Sequence, residues 1–412
     1  MSDTTPKQIV IVGAGHGGGA VAATLRQYGF KGGITVFGTE PIPPYQRPPL
    51  SKAWLKGEAD AASLALRPPA FYDKAAIALR LSATVTAIDR VAKTVSTDAG
   101  ETVAYDWLIL ATGARARRLP IPGMDLSGVL ELRTAADADK LKAALGPGKK
   151  LAVVGGGYIG LEAAASALAL GATATVIERE SRVLARVASE ALSAAYQVAH
   201  RKRGVTIELG AQVAALEGAD GHVTGVRLGD GRLVPCDVAL VGVGAVANLE
   251  LARDAGIACD QGIIVDLAAR TSDPDVFAVG DCTWRPLPHY GRDFRLESVP
   301  NALEQARQAA GAICGRAPVA PEVPWFWSDQ FDLKLQIVGL PFGATHTVLR
   351  GDPATESFAV FHLADDSTLR AVEAVNMADA FMAGRLLISK GAQLAADKIC
   401  DMSMAMKDLA QP

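Results

Sequence analysis

Ile9-Val-Ile-Val12 is a short apolar run rich in β-branched side chains, and it breaks into Gly13-Ala-Gly-His-Gly-Gly18 before helically spaced apolar positions run on to Leu25. A run of this kind, closed by glycines and followed by a 3.6-residue period, predicts strand, turn and helix. Ile34-Thr-Val-Phe37 supplies the next strand and completes a βαβ unit. The pattern then recurs. Leu151-Ala-Val-Val154 enters Gly155-Gly-Gly-Tyr-Ile-Gly160, an Ala/Leu helix to Leu170, and the strand Ala174-Thr-Val-Ile177. Two such units predict two nucleotide-binding domains, with Gly146-Pro-Gly-Lys-Lys150 as a joint before the second.

Between the units, Pro41 to Pro49 is too rich in proline for regular structure. Tyr105-Asp-Trp-Leu-Ile-Leu-Ala-Thr-Gly113 reads as a buried strand closing on a glycine, and Val276-Phe-Ala-Val-Gly-Asp281 has the same shape but closes on an aspartate. After Pro318 the texture changes. Trp325-Phe-Trp-Ser-Asp-Gln330, Leu333-Lys-Leu-Gln-Ile-Val338 and Ser357-Phe-Ala-Val-Phe361 read as antiparallel strands of a third, α+β domain, and Met377 to Leu387 reads as helix.

Composition narrows the class. At 412 residues the chain exceeds one hydrophobic core. A net charge of −3 predicts neither a nucleic-acid footprint nor a polybasic membrane anchor. The start, Met1 to Gln8, is short and polar, without the apolar run of a signal peptide, and no stretch has the length to span a bilayer. A cytoplasmic protein is expected. Cys236, Cys259, Cys282, Cys314 and Cys400 are scattered, with no CxxC and no metal-ligand spacing, so no metal is expected.

The glycines carry the first chemistry. In a strand-to-helix turn, Gly13 makes the bend, Gly15 lets backbone approach a pyrophosphate, and Gly18 lets helix pack on strand. The phosphates then meet unpaired N–H groups at the positive helix end. Gly17 and Gly19 thin the loop wall further. Gly155, Gly157 and Gly160 repeat the arrangement, and Glu178, at the end of the following strand, is placed to accept ribose hydroxyls and to repel a 2′-phosphate, favouring NADH; Arg179 and Arg182 beside it pull the other way. In the first unit the acid comes one residue late, as Thr39-Glu40; either residue could meet the FAD ribose, or Glu40 is only a solvated loop charge. Asp281, after a buried strand and a glycine, suits a carboxylate gripping the ribityl hydroxyls of an extended FAD. A flavin site and a nicotinamide site on one chain imply hydride transfer.

Four runs, Pro48-Pro-Leu-Ser-Lys52, Gly155-Gly-Gly-Tyr-Ile-Gly-Leu-Glu162, Glu297-Ser-Val-Pro-Asn-Ala-Leu-Glu-Gln-Ala-Arg307 and Trp325-Phe-Trp-Ser-Asp-Gln330, resemble the FAD-dependent ferredoxin reductases of oxygenase systems, and the resemblance covers nearly the whole chain. It implies an α/β, glutathione-reductase-like fold with two Rossmann-type dinucleotide-binding domains and an α+β C-terminal domain. The boundaries expected are 1–114 with 245–322 for FAD, 115–244 for NAD, and 323–412. It implies electron transfer from NADH through FAD to a [2Fe-2S] ferredoxin that feeds a cytochrome P450 or a ring-hydroxylating dioxygenase. Gly17, Thr39, Lys52, Val85, Arg133, Asp281 and Val299 match its FAD-contacting positions. Thr112, Gly113 and Trp327 join the flavin set, as do Glu297 and Val299, both expected on the helix start that faces the flavin pyrimidine, and Ile159 and Gly244 join the NAD set. Arg47 either clamps the FAD pyrophosphate or faces solvent. Lys52, after a rigid Pro-Pro loop, places an ammonium beside flavin N5. Glu162 matches the acid that pairs with it; a plain surface partner is the other reading. Ala247 stands where relatives often carry proline. Arg307, Arg67 and Lys334 are candidates for a ferredoxin-docking surface.

Two rival classes share the fold. A disulfide reductase or NADH peroxidase needs a reactive cysteine near the flavin, yet Pro48 to Lys52 fills the region where CxxxxC would fall, and Cys282 lacks a partner. The other is a non-catalytic NADH-sensing flavoprotein.

Overall fold

The structure is a computed structural model and describes residues 7–409. The reading of the polar start concerns mainly residues 1–6, which lie outside the described residues. The chain forms two compact units, one from Met1–Gln46, Ala61–Arg115 and Val246–Pro324, the other from Arg47–Asp60, Ala116–Ala245 and Trp325–Pro412. Arg47–Asp60 leaves the first dinucleotide-binding region, and the C-terminal segment groups with the second.

The first unit is built on a five-stranded parallel sheet. Gln8–Val12 lies at its centre, with Gly33–Gly38 and Ile77–Leu81 on one side and Trp107–Leu110 and Val276–Ala278 on the other. Parallel strands covered on both faces read as unbroken apolar runs, and Ile9-Val-Ile-Val12 shows why. Ile9 and Ile11 pack with Val21 and Leu25 of the helix His16–Gln27 and with Ala306 and Ala310 of Val299–Ile313. Val10 and Val12 point to the opposite layer, among Val85, Val95 and Leu249. Alternation along one strand thus feeds two cores.

The second unit repeats that sheet. Lys150–Val154 is central, flanked by Thr173–Ile177 then Thr206–Glu208, and on the other side by Val238–Val241 then Val129–Leu130. Its glycine helix, Tyr158–Ala169, is lined with alanines, and Ala163, Ala164 and Ala167 are fully buried, which allows close packing. Two further pieces pack on this helix: the turn Pro48–Ser51 with the short helix Ala53–Lys56, and the strand Trp325–Gln330. That strand opens a five-stranded antiparallel sheet in the order Trp325–Gln330, Leu333–Gly339, Leu369–Val375, Ser357–Leu363, His346–Asp352, covered by the helix Ala378–Ser389. Arg350, on its last strand, is buried and donates to the carbonyls of Ile399, Asp401 and Met404. No helix among the described residues is long and apolar enough to cross a membrane.

Candidate functional site

The two glycine turns have one geometry. Gly13 and Gly155 sit at φ +114° and +106°, in a region that L side chains rarely adopt. An added Cβ would lie 2.2 Å from the Ala111 carbonyl oxygen at Gly13, and 2.5 Å from that of Gly242 at Gly155. At Gly18 it would stand 1.8 Å from the Gly13 oxygen, and at Gly160 2.3 Å from the Gly155 oxygen. The outer glycines are therefore dictated by the protein's own packing. The middle ones are not. A Cβ on Gly15 or Gly157 would meet nothing within 4 Å. Each is the N-cap of a 12-residue helix and, being glycine, offers that helix no side-chain acceptor. Open space before a helix N-terminus fits a dinucleotide pyrophosphate in both turns.

In the first unit the flavin-assigned residues gather at the carboxyl edge of the parallel sheet, because the strands are in register at Val12, Phe37, Leu110 and Ala278. Gly13, Thr39, Thr112 and Asp281 each follow one of these strands. Thr39 is exposed; Glu40 is half-buried and accepts from the Tyr45 hydroxyl at 2.7 Å. The Thr112–Gly113 turn is held by Asn248, which donates its side-chain amide to the Thr112 carbonyl at 2.9 Å and its N–H to that of Gly113 at 3.0 Å. Ahead of Asp281, Gln305 Oε1 accepts from Gly280 N–H at 2.8 Å and from the Thr283 hydroxyl at 3.0 Å. Gly17 is buried 3.0 Å, by its would-be Cβ, from Val279, and Val85 is buried at the start of its strand. Val299 opens the helix Val299–Ile313, but Glu297 does not belong to it. Ser298 caps the helix, and Glu297 precedes the cap, exposed and ion-paired with Arg295.

In the second unit, Glu178 follows Thr173–Ile177 and uses both carboxylate oxygens on backbone, Oε2 accepting from Gly156 N–H at 2.7 Å and Oε1 from Glu180 N–H at 2.8 Å. The carboxylate is thereby fixed beside the glycine turn. The neighbouring arginines are engaged: Arg179 pairs with Glu180 at 2.7 Å, and Arg182 donates to the carbonyls of Ala185, Ala188 and Ser189. Ile159 is 48% exposed. Gly244 has φ +107°, and the guanidinium of exposed Arg186 lies 3.6 Å from its would-be Cβ, a cation the motif reading passed over.

The second unit also brings together Lys52 and Glu162, far apart in sequence. Lys52 Nζ lies 2.7 Å from Glu162 Oε2 and donates to the Pro48 carbonyl at 3.0 Å. Glu162 is buried, so the surface-partner reading is set aside. The Ser51 and Ser328 hydroxyls also donate to it, at 2.5 and 2.6 Å, and Ser166 ties the loop down by donating to the Ser51 carbonyl. Arg47 does not simply face solvent. It donates to the carbonyl of Arg133, just before the capped helix Ala135–Ala144. Trp327 is half-buried, its ring 5.5 Å from that of Trp325.

The thiols are quiet. Burial pushes Cys236 up to about 11, and raises Cys259, Cys282 and Cys314 as well; none of the five is in a disulfide. Of the docking candidates, Arg307 is paired with Glu322 at 2.5 Å and Arg67 lies over the Phe71 ring, while Lys334 is exposed.

Residues 7–306 match the model of the pyridine nucleotide-disulphide oxidoreductase family, and residues 325–410 that of a reductase C-terminal domain. The chain is 53% identical over 405 residues to the probable ferredoxin reductase CtmF of Castellaniella defragrans, covering 98% of this chain and 99% of that one. The reductase in the crystal structure of a covalent putidaredoxin reductase–putidaredoxin complex superposes with a TM-score of 0.96 at 39% identity, over 98% of both chains. The ferredoxin reductase for the CYP199A2 system of Rhodopseudomonas palustris gives 0.94 at 40% identity, over 98% of this chain and 100% of that one.

Proposed function

This chain belongs to the pyridine nucleotide-disulphide oxidoreductase family and is an oxidoreductase that works with FAD and NADH, and from that premise we propose that it reduces a [2Fe-2S] ferredoxin serving a cytochrome P450 or a ring-hydroxylating dioxygenase. The similarity to reductases named for such systems supports the partner. The observation that carries the reading is the ion pair between Lys52 and Glu162. A disulfide reductase needs a thiolate beside its flavin. In this chain the loop that would carry such a thiol carries Lys52, its ammonium paired with Glu162, and four of the five thiols are held protonated. An ammonium suits hydride acceptance, because it stabilises negative charge on a reduced ring.

When bound, FAD supplies the conversion of a two-electron hydride donation into single-electron transfers. The chain's own residues bind and orient. N–H groups following Gly15 hold the FAD pyrophosphate, and Asp281 accepts its ribityl hydroxyls. N–H groups following Gly157 hold that of NADH, and Glu178, braced on Gly156, accepts the adenosine ribose hydroxyls and disfavours a 2′-phosphate. Glu162 holds Lys52 at its station. We assign FAD binding to 1–114 with 245–322, NAD binding to 115–244, and the α+β domain to 323–412, and place the enzyme in the cytoplasm, where NADH is supplied.

Stopped-flow mixing with NADH, with and without a purified [2Fe-2S] ferredoxin, tests the proposal. Flavin reduction followed by ferredoxin reduction is expected. Turnover abolished by thiol alkylation, or rapid flavin reduction with no electron delivery to any [2Fe-2S] acceptor, overturns it.

A further inference from the structure

Glu162 is 4% exposed. A buried carboxylate is costly unless it is paired and hydrogen-bonded, and its two oxygens are served from different parts of the chain. Oε2 receives Lys52 and Ser51, both from the loop after the proline-rich stretch. Oε1 receives Ser328, from the first strand of the antiparallel sheet. Behind Ser328 the hydrogen bonds continue. Gln330 Nε2 donates to Ser328 Oγ at 3.0 Å, so the hydroxyl's own proton goes to Glu162. Gln330 Oε1 lies 2.8 Å from Nε2 of His200, which is fully buried on the helix Glu190–Lys202. Burial, with a smaller contribution from Arg203, presses His200 down to about 4. The ring is therefore neutral near pH 7, and its proton sits on Nε2, facing the Gln330 oxygen; buried Nδ1 has no partner. Every donor in this row points toward Glu162.

We propose that Ser328, backed by Gln330 and His200, is a positioning residue for flavin reduction: its hydroxyl pins the rotation of the Glu162 carboxylate and so fixes where Lys52 Nζ stands. The terminal torsion of a glutamate is soft and roughly two-fold. Donors on one oxygen alone leave it free to swing, whereas a donor on each oxygen removes that freedom. The consequence is that the C-terminal domain takes part in the hydride step through a side chain placed behind the ion pair. This rests on the role given above to Lys52.

The test is Ser328→Ala in the holoenzyme, with single-turnover reduction by NADH, NADH binding and the midpoint potential of the bound flavin as readouts. Reduction at saturating NADH is expected to slow about tenfold while the NADH dissociation constant stays within about twofold, and the potential is expected to move negative. Ser328→Thr restores both. Because Ser328 acts through Glu162, adding Ser328→Ala to Glu162→Gln changes neither reading further. An unchanged rate and potential in Ser328→Ala, or effects that add in the double variant, overturn the proposal. If Ser328→Ala does not accumulate as flavoprotein, Ser328→Cys, nearly isosteric and a weaker donor, carries the same comparison. Lys52→Ala separates the two levels. A normal reduction rate there removes the role of Lys52 itself, while a slow Lys52→Ala beside a normal Ser328→Ala removes the relay alone.

Discussion

The two glycine turns share a backbone and differ in what surrounds it. At the residue before the third glycine, the first turn has Gly17, buried under Val279, and the second has Ile159, 48% exposed. Gly19 is also buried, and a Cβ there would lie 2.7 Å from Pro44, so the loop from Glu40 onward folds down over the first helix. The acids differ in the same sense. Glu178 stands at its strand end and uses both oxygens on backbone beside the turn, whereas Glu40 comes a residue later and is held by Tyr45. The first turn is roofed, as suits a cofactor that stays. The second is open, as suits a substrate that comes and goes. On the function proposed above, the shared glycines serve a pyrophosphate in each turn, and the surroundings separate a resident dinucleotide from an exchanging one.

Substitutions can break this comparison. Gly18→Ala and Gly160→Ala drive a Cβ into backbone, and each is expected to destabilise its unit by about 4 kcal/mol or more, read by denaturant unfolding; a small loss would mean the turns are less alike than their geometry indicates. The second unit should also be the acid-labile one. His200 is neutral when folded, but in the unfolded chain it takes up a proton below about pH 6.5. Its contribution is therefore intact above that pH and lost as the pH falls toward 4, by about 2–3 kcal/mol. His200→Leu should flatten that part of the stability–pH curve. Gly157→Ala meets no protein atom, so the apoprotein should melt as the wild type does while NADH binds about 10–100-fold more weakly, by titration calorimetry. Gly15→Ala should do the same to FAD content. The smallest effect is on selectivity: Glu178→Gln should lower the NADH-to-NADPH ratio of kcat/KM by about tenfold, and an unchanged ratio would assign the discrimination elsewhere.

What the sequence makes legible follows from distance along the chain. The strand–glycine–helix units are local, and Gly13 to Gly18 and Gly155 to Gly160 announce both turns. The pairing of Lys52 with Glu162 has no local signature and came through resemblance to a family. Ser51, Ser328, Gln330 and His200 were passed over because their partners are joined only by folding. One signal was present: Ser328 and Gln330, two apart on a strand, share a face, and that shared face is the buried one. The Glu297 misplacement had a readable cause too. Ser298, with proline two residues on, is an N-cap signature that puts Glu297 outside the helix.

Arg350 has a consequence for anyone who trims or extends this enzyme. Its three carbonyl acceptors all belong to one short segment, between Ile399 and Met404. Deleting that stretch would strand a cation in an apolar interior at a cost of about 3–5 kcal/mol. The segment therefore behaves as a clasp on the edge strand His346–Asp352.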